Sequence, residues 1–107
     1  MQGRPKRDKV LSMLGLAARS RNVASGGFAT EEAVKRGKAY LVIIAEDASD
    51  NSKKKYGNMC EFYEVPCEIY SVKETLGHAI GKEERTCLAV TDEGFADSIR
   101  KHLLDSK

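Results

Sequence analysis

Ser25-Gly26-Gly27 is the segment of this 107-residue sequence best suited to holding another molecule. Two adjacent glycines can take positive φ and let the backbone approach a ligand with no Cβ in the way. The helix-forming stretch that follows, Phe28 to Arg36, would aim its first free N–H groups outward. Such groups suit a phosphate or the edge of a base. Lys35, Arg36 and Lys38 fall at or just beyond the C-terminal end of that stretch. Ser71-Val72-Lys73, ahead of another helix-forming segment, offers an adjoining edge with one apolar residue and one cation. The plainer reading is that the glycines only make a tight turn.

Catalytic chemistry has less to stand on. Neither G-x-x-x-x-G-K-[ST] nor G-x-G-x-x-G occurs, which disfavours both common phosphate-cradling loops. His78 is joined to no cysteine by any recognisable signature, so a surface or half-buried histidine is the better reading. Glu46 and Asp47 stand where a strand should end, a frequent position for α/β active sites. Acids are equally favourable there because a helix N-terminus follows. Cys60, Cys67 and Cys87 lie 7 and 20 residues apart, whereas zinc prefers paired spacings such as C-x-x-C. They read as small, reduced, apolar side chains. The expectation is no enzyme, no cofactor and no metal.

The elements that would position these residues follow from hydrophobic periodicity. Val10, Leu11, Met13, Leu14, Leu16 and Ala17 recur at helical spacing, giving an amphipathic helix from Lys9 to about Arg19. A short strand is expected at 22–25, then the helix from Phe28 that stops at Gly37, a natural C-terminal cap. The run Ala39–Ala45, AYLVIIA, has the length and β-branching of a strand buried on both faces. Tyr56, Met59, Cys60 and Tyr63 form one helical stripe. Cys67–Tyr70 reads as a strand, and Ser71-Val-Lys-Glu74 fits a capping box for a helix that closes near Gly81. A strand at Thr86–Val90 and a helix from Thr91 or Asp92, burying Phe95, Ala96, Ile99 and Leu103, complete the chain. Five helical and four strand segments alternate. The predicted object is a three-layer α/β/α sandwich with a four-stranded mixed sheet.

Composition agrees with one small globule. The hydrophobic fraction is 41% without the nine glycines, and the 32% of charged residues are interspersed, which argues against disorder. Residues 1–8 read as a flexible basic tail and 9–107 as a single domain. No apolar run approaches the roughly 20 residues needed to cross a bilayer, and no signal-peptide core follows the basic start. A cytoplasmic protein with no membrane partner is expected. Net charge is only +2, but residues 1–40 hold nine Lys/Arg against three acids, and the remainder nine against thirteen. That asymmetry suits a one-sided phosphate-binding face.

Three pieces of the chain carry a resemblance. The first runs from Gly26 through Arg36-Gly37-Lys-Ala39-Tyr-Leu41-Val42-Ile-Ile44-Ala45-Glu-Asp47. The second is Cys60-Glu61 with Val65-Pro66, and the third is Lys73-Glu-Thr-Leu76-Gly77-His-Ala79-Ile-Gly81-Lys82. In order and spacing they resemble the kink-turn RNA-binding ribosomal protein family of the L-seven-Ae type. The bacterial, YlxQ-type branch looks closest. The resemblance implies an α/β/α sandwich that binds sharply bent RNA. A monomer is expected, with structured RNA, a kink-turn or ribosomal RNA, as partner and the ribosome as a further candidate.

By position, the resemblance places the RNA contacts at Gly26, Gly27, Phe28, Glu32, Arg36, Val72 and Lys73, and the charge at the helix end adds Lys38. Where the family has Asn, Glu and Lys, this chain has Phe28, Ala29 and Glu32. Phe28 and Ala29 cannot hydrogen-bond a base edge, and Glu32 repels phosphate. By analogy with readout in DNA, each missing base-edge interaction is worth about 1–3 kcal/mol. Phe28 is either a core residue at the helix start, the favoured reading, or a platform for an extruded base. The expected function is RNA binding without catalysis. The alternative is an interaction module of the same fold that has lost kink-turn recognition and binds protein or other RNA.

Overall fold

The computed structural model describes residues 8–105, so the basic tail up to residue 7 lies outside it. Helix α1 (Lys9–Arg19) is followed by β1 (Val23–Ser25), α2 (Gly27–Lys35), β2 (Leu41–Ile44) and α3 (Asp50–Tyr63). Then come β3 (Cys67–Ile69), α4 (Lys73–Ala79), β4 (Cys87–Val90) and α5 (Glu93–Asp105). The expected element order is present throughout.

One mixed sheet has the order β1-β4-β2-β3. The inner strands β2 and β4 run antiparallel, with Val42 opposite Ala89, and every residue of both is buried. Four-residue strands with no polar side chain need cover on both faces. Helices α2 and α3 pack together over β1, β4 and β2, while α1 packs on α4 and α5, and α5 on β4. The result is the three-layer sandwich. Its core joins Leu14, Val34, Leu41, Ile43, Leu76, Leu88 and Ile99, all fully or nearly fully buried.

Strand direction decides where the loops go. β1 is antiparallel to β4, β4 to β2, and β3 is parallel to β2. The C-terminal ends of β1, β2 and β3 and the start of β4 therefore share one end of the sheet. The glycine turn, the Glu46–Asp47 turn, the Ser71–Lys73 segment and the loop before Cys87 all emerge there.

Three local expectations change. The Ser71 capping box does not form. Ser71 has φ +64° and Val72 is the N-cap, without a side-chain hydrogen bond. Asp47 takes that role from another loop, its Oδ1 accepting from the Lys73 N–H at 2.8 Å. Tyr63 and Phe95 are less covered than their stripes imply, Tyr63 being exposed and Phe95 half-buried. Asp8, grouped by sequence with the tail, is the N-cap of α1, its Oδ1 accepting from the Leu11 N–H at 3.1 Å. Its other oxygen accepts from the Tyr70 hydroxyl at 2.6 Å, pinning α1 to the end of β3.

Burial, then the Asp8 hydrogen bond, pushes the Tyr70 phenol up to about 12. A phenol raised above its unfolded value stabilises the fold below that value and loses the contribution as pH rises through the folded one. The expected outcome is a stability decline from about pH 10 to 12 that Tyr70→Phe makes shallower, the raised Tyr56 phenol and Cys87 thiol keeping their own share. Denaturant melts across that range check it, with ultraviolet titration showing one late tyrosine missing from the variant. At neutral pH, Tyr70→Phe costs about 1–2 kcal/mol because the Asp8 oxygen loses a donor.

Candidate nucleic-acid interface

Gly26 ends β1 and caps α2 with φ +90° and ψ 165°, a conformation essentially confined to glycine. Its N–H donates to the Cys87 carbonyl at 2.9 Å, and its carbonyl accepts from Thr30 at 3.0 Å. No side chain caps the start of α2, so the first N–H groups of the helix keep their capacity for an incoming acceptor. Gly27 is constrained from below, because the space its Cβ would fill is occupied by the Tyr56 hydroxyl. Tyr56, Thr30 and Cys87 are all buried, and burial pushes both the Tyr56 phenol and the Cys87 thiol up. The turn rests on a packed floor.

Phe28 is not a core residue. It is 81% exposed, whereas Ala33 and Val34 supply the buried face of α2. At the first turn of the helix its ring stands on the rim of a groove of about 480 Å³, which Gly26, Gly27, Arg85 and Thr86 also line. Nothing in the fold requires an aromatic side chain there.

Arg85 is the residue that sequence reasoning missed. Its Nε donates to the Ser25 Oγ at 3.2 Å, and Nη1 donates to the carbonyls of Glu84 at 3.0 Å and Glu83 at 3.3 Å. Its backbone N–H donates to the Lys73 carbonyl at 3.0 Å. One arginine thus links the glycine turn, its own loop and the start of α4. Gly77 makes this possible, since any Cβ there would strike the Glu83 backbone. The only sequence signal is a cation after two acids in a loop; its link to Ser25 spans 60 positions and leaves no local pattern.

The expected contact residues divide into two groups. Gly26, Gly27, Phe28, Val72 and Lys73 share one end of the sheet, with Val72 exposed and Lys73 half-buried. Arg36 and Lys38 do not join them. They lie past the far end of nine-residue α2, about 13 Å from the glycines at 1.5 Å per residue. Arg36 is also engaged, its Nε donating to Glu32 Oε1 at 3.1 Å, and Lys35 pairs with Glu31 at 2.7 Å. Glu32 therefore partners the arginine one helical turn on. Such exposed pairs are worth only a few tenths of a kcal/mol, so an anion can displace them.

Among the described residues, no group of three or more His, Cys, Asp or Glu could hold a metal ion, and no helix is long and apolar enough to cross a membrane. The three thiols are free. Asp47, a candidate carboxylate, is occupied as the cap of α4.

Comparisons with known proteins bear on what such a surface holds. The family described as "Ribosomal protein L7Ae/L30e/S12e/Gadd45 family" matches residues 8–100. A Bacillus subtilis protein named RNA-binding protein YlxQ is 42% identical over 87 residues, 81% of this chain and 87% of its own length. A solved structure of a protein of unknown function from Bacillus halodurans is 38% identical with a TM-score of 0.87, covering 91% of this chain and 98% of its own. A Giardia lamblia 15.5kD RNA binding protein is similar in fold, with a TM-score of 0.75 at 21% identity over 94% of this chain and 89% of its own.

Two glycines carry the geometry of this end of the sheet, for different reasons. Gly26→Ala is expected to cost about 1–3 kcal/mol through backbone strain. Gly77→Ala should cost at least as much, because a backbone carbonyl must move, and it should also release the Arg85 N–H from the Lys73 carbonyl. Chemical denaturation measures the first quantity. Faster amide hydrogen exchange at Arg85 in the Gly77 variant alone checks the second.

Proposed function

Because this chain belongs to the ribosomal protein L7Ae/L30e/S12e/Gadd45 family, in its YlxQ branch, we propose that it is a non-catalytic binder of structured, bent RNA. The family and its relatives' names support RNA binding in a ribosomal-protein-like role. The finer reading is that Phe28, at the glycine turn, stacks on a base extruded by the bend, while Lys73 and the Ser25–Arg85 pair meet the flanking backbone. The observation that carries it is the exposure of Phe28 beside uncapped helix N–H groups. An aromatic face accepts any base, so recognition here rests on RNA shape more than on base identity. Val72, exposed at the neighbouring loop, extends the apolar surface such a base would meet. Arg36 and Lys38 serve an RNA long enough to reach the other end of α2.

The test compares a kink-turn duplex with an unkinked duplex of equal length at two salt concentrations. Wild type is expected to bind the bent RNA more tightly. Phe28→Ala should weaken binding by about 1–3 kcal/mol, the usual worth of a base stacked on an aromatic ring. Lys73→Gln should lower the salt slope by slightly less than one unit. The triple change Phe28→Asn, Ala29→Glu, Glu32→Lys should raise preference for the kink-turn further by restoring base-edge donors and acceptors. Equal binding of both duplexes by wild type overturns the bent-RNA reading. Absence of binding to either overturns this reading and favours the interaction module, which binds protein or other RNA.

A further inference from the structure

A second groove, of about 610 Å³, lies where α1 ends beside the end of α4. Arg19, Arg21, His78 and Lys82 line it, and no acidic residue does. Its floor is close-packed: a Cβ on Gly15 would come within 3.0 Å of the Ala79 carbonyl. Among the described residues, Arg19, Arg21 and Lys82 have no carboxylate within ion-pairing distance, unlike Lys35 and Arg36 on α2. Cations at a helix C-terminus often serve its dipole and terminal carbonyls. Here the backbone already does that, with Arg21 and Asn22 donating to Ala18 and Ala17, and Gly81 and Lys82 to His78 and Gly77. The side chains are left over.

Arg21 is held there against local preference. It has φ +64° at the position after the α1 cap that glycine takes after α2 (Gly37) and α4 (Gly81). Glycine or asparagine fits that conformation more readily than arginine. Ser25 lines both this groove and the one beside Phe28. Ser25, whose Oγ accepts from Arg85 Nε, is thus the residue the two grooves share. Resting on the RNA-binding reading above, we infer that this groove is a second RNA contact, taking the sugar-phosphate backbone of the strand that leaves the glycine turn over Ser25. Arg19, Arg21 and Lys82 meet its phosphates, and His78 offers ring nitrogens to the same strand.

The experiment measures affinity for the kink-turn duplex as a function of salt. Arg21→Asn is expected to raise the melting midpoint, since asparagine tolerates the backbone conformation, while lowering RNA affinity. Arg19→Gln, Arg21→Asn and Lys82→Gln together should reduce the slope of log K against log salt by about 0.9 for each phosphate left without its cation, up to three phosphates. The control Lys53→Gln, Lys54→Gln, Lys101→Gln removes the same charge elsewhere and should leave that slope nearly unchanged. If the groove variant fails to fold, Arg19→Gln with Lys82→Gln alone should still reduce the slope by the share of up to two phosphates. An unchanged slope in the groove variants, with Phe28→Ala still weakening binding, overturns the groove and spares the glycine turn. An equal fall in the control also overturns it, because net charge then explains the effect. Wild type that binds no RNA overturns both.

Discussion

The antiparallel pairing of β2 with β4 is the constraint on which the rest of the molecule depends. Leu41-Val-Ile-Ile44 and Cys87-Leu-Ala-Val90 have no polar side chain and are buried on both faces. They cannot exist without helices above and below, and those helices have no other surface on which to bury their apolar stripes. The pairing also fixes which loops meet. Had β4 run the other way, the loop that carries Arg85 would open at the opposite end from the glycine turn.

At that end, hydrogen bonds between loops add rigidity to the packed floor beneath the glycine turn. Asp47 caps α4, Glu46 donates its N–H to Ser71, and Arg85 joins Lys73 to Ser25. Each bond crosses from one connection to another. The loops therefore form a linked rim in which each connection is held in part by another. A surface of this kind offers a ligand fixed donors, which lowers the ordering cost of binding.

Most of the fold was legible because each element announces itself locally. The apolar period of α1, the AYLVIIA run and Gly37 as a helix stop need no knowledge of distant residues. The candidate site was legible only in part. Gly26 and Gly27 stand out by type, and Val72 and Lys73 by their place ahead of a helix, yet Arg85 acquires its role only through partners far along the chain. Phe28 misled for a related reason: an aromatic residue at a helix start is usually buried, and only the turn of α2 shows that Ala33 and Val34 take the core side. Ser71 failed as a cap because Asp47, from another loop, satisfies the same backbone better. Tertiary competition settled both.

The placement of β1 at the sheet edge carries a consequence for the order of events in time. Its hydrogen-bonded neighbour is β4, with Val23 opposite Val90, so β1 has no sheet to join until the chain has been made through Val90. Distant pairings of this sort form late, after nearer contacts have offset part of the chain's lost freedom. During synthesis, the nascent chain would carry Gly26 and Gly27 long before it could hold them in shape. The shape of the glycine turn thus arrives only once β4 has been made, and a product truncated before Cys87 would lack it.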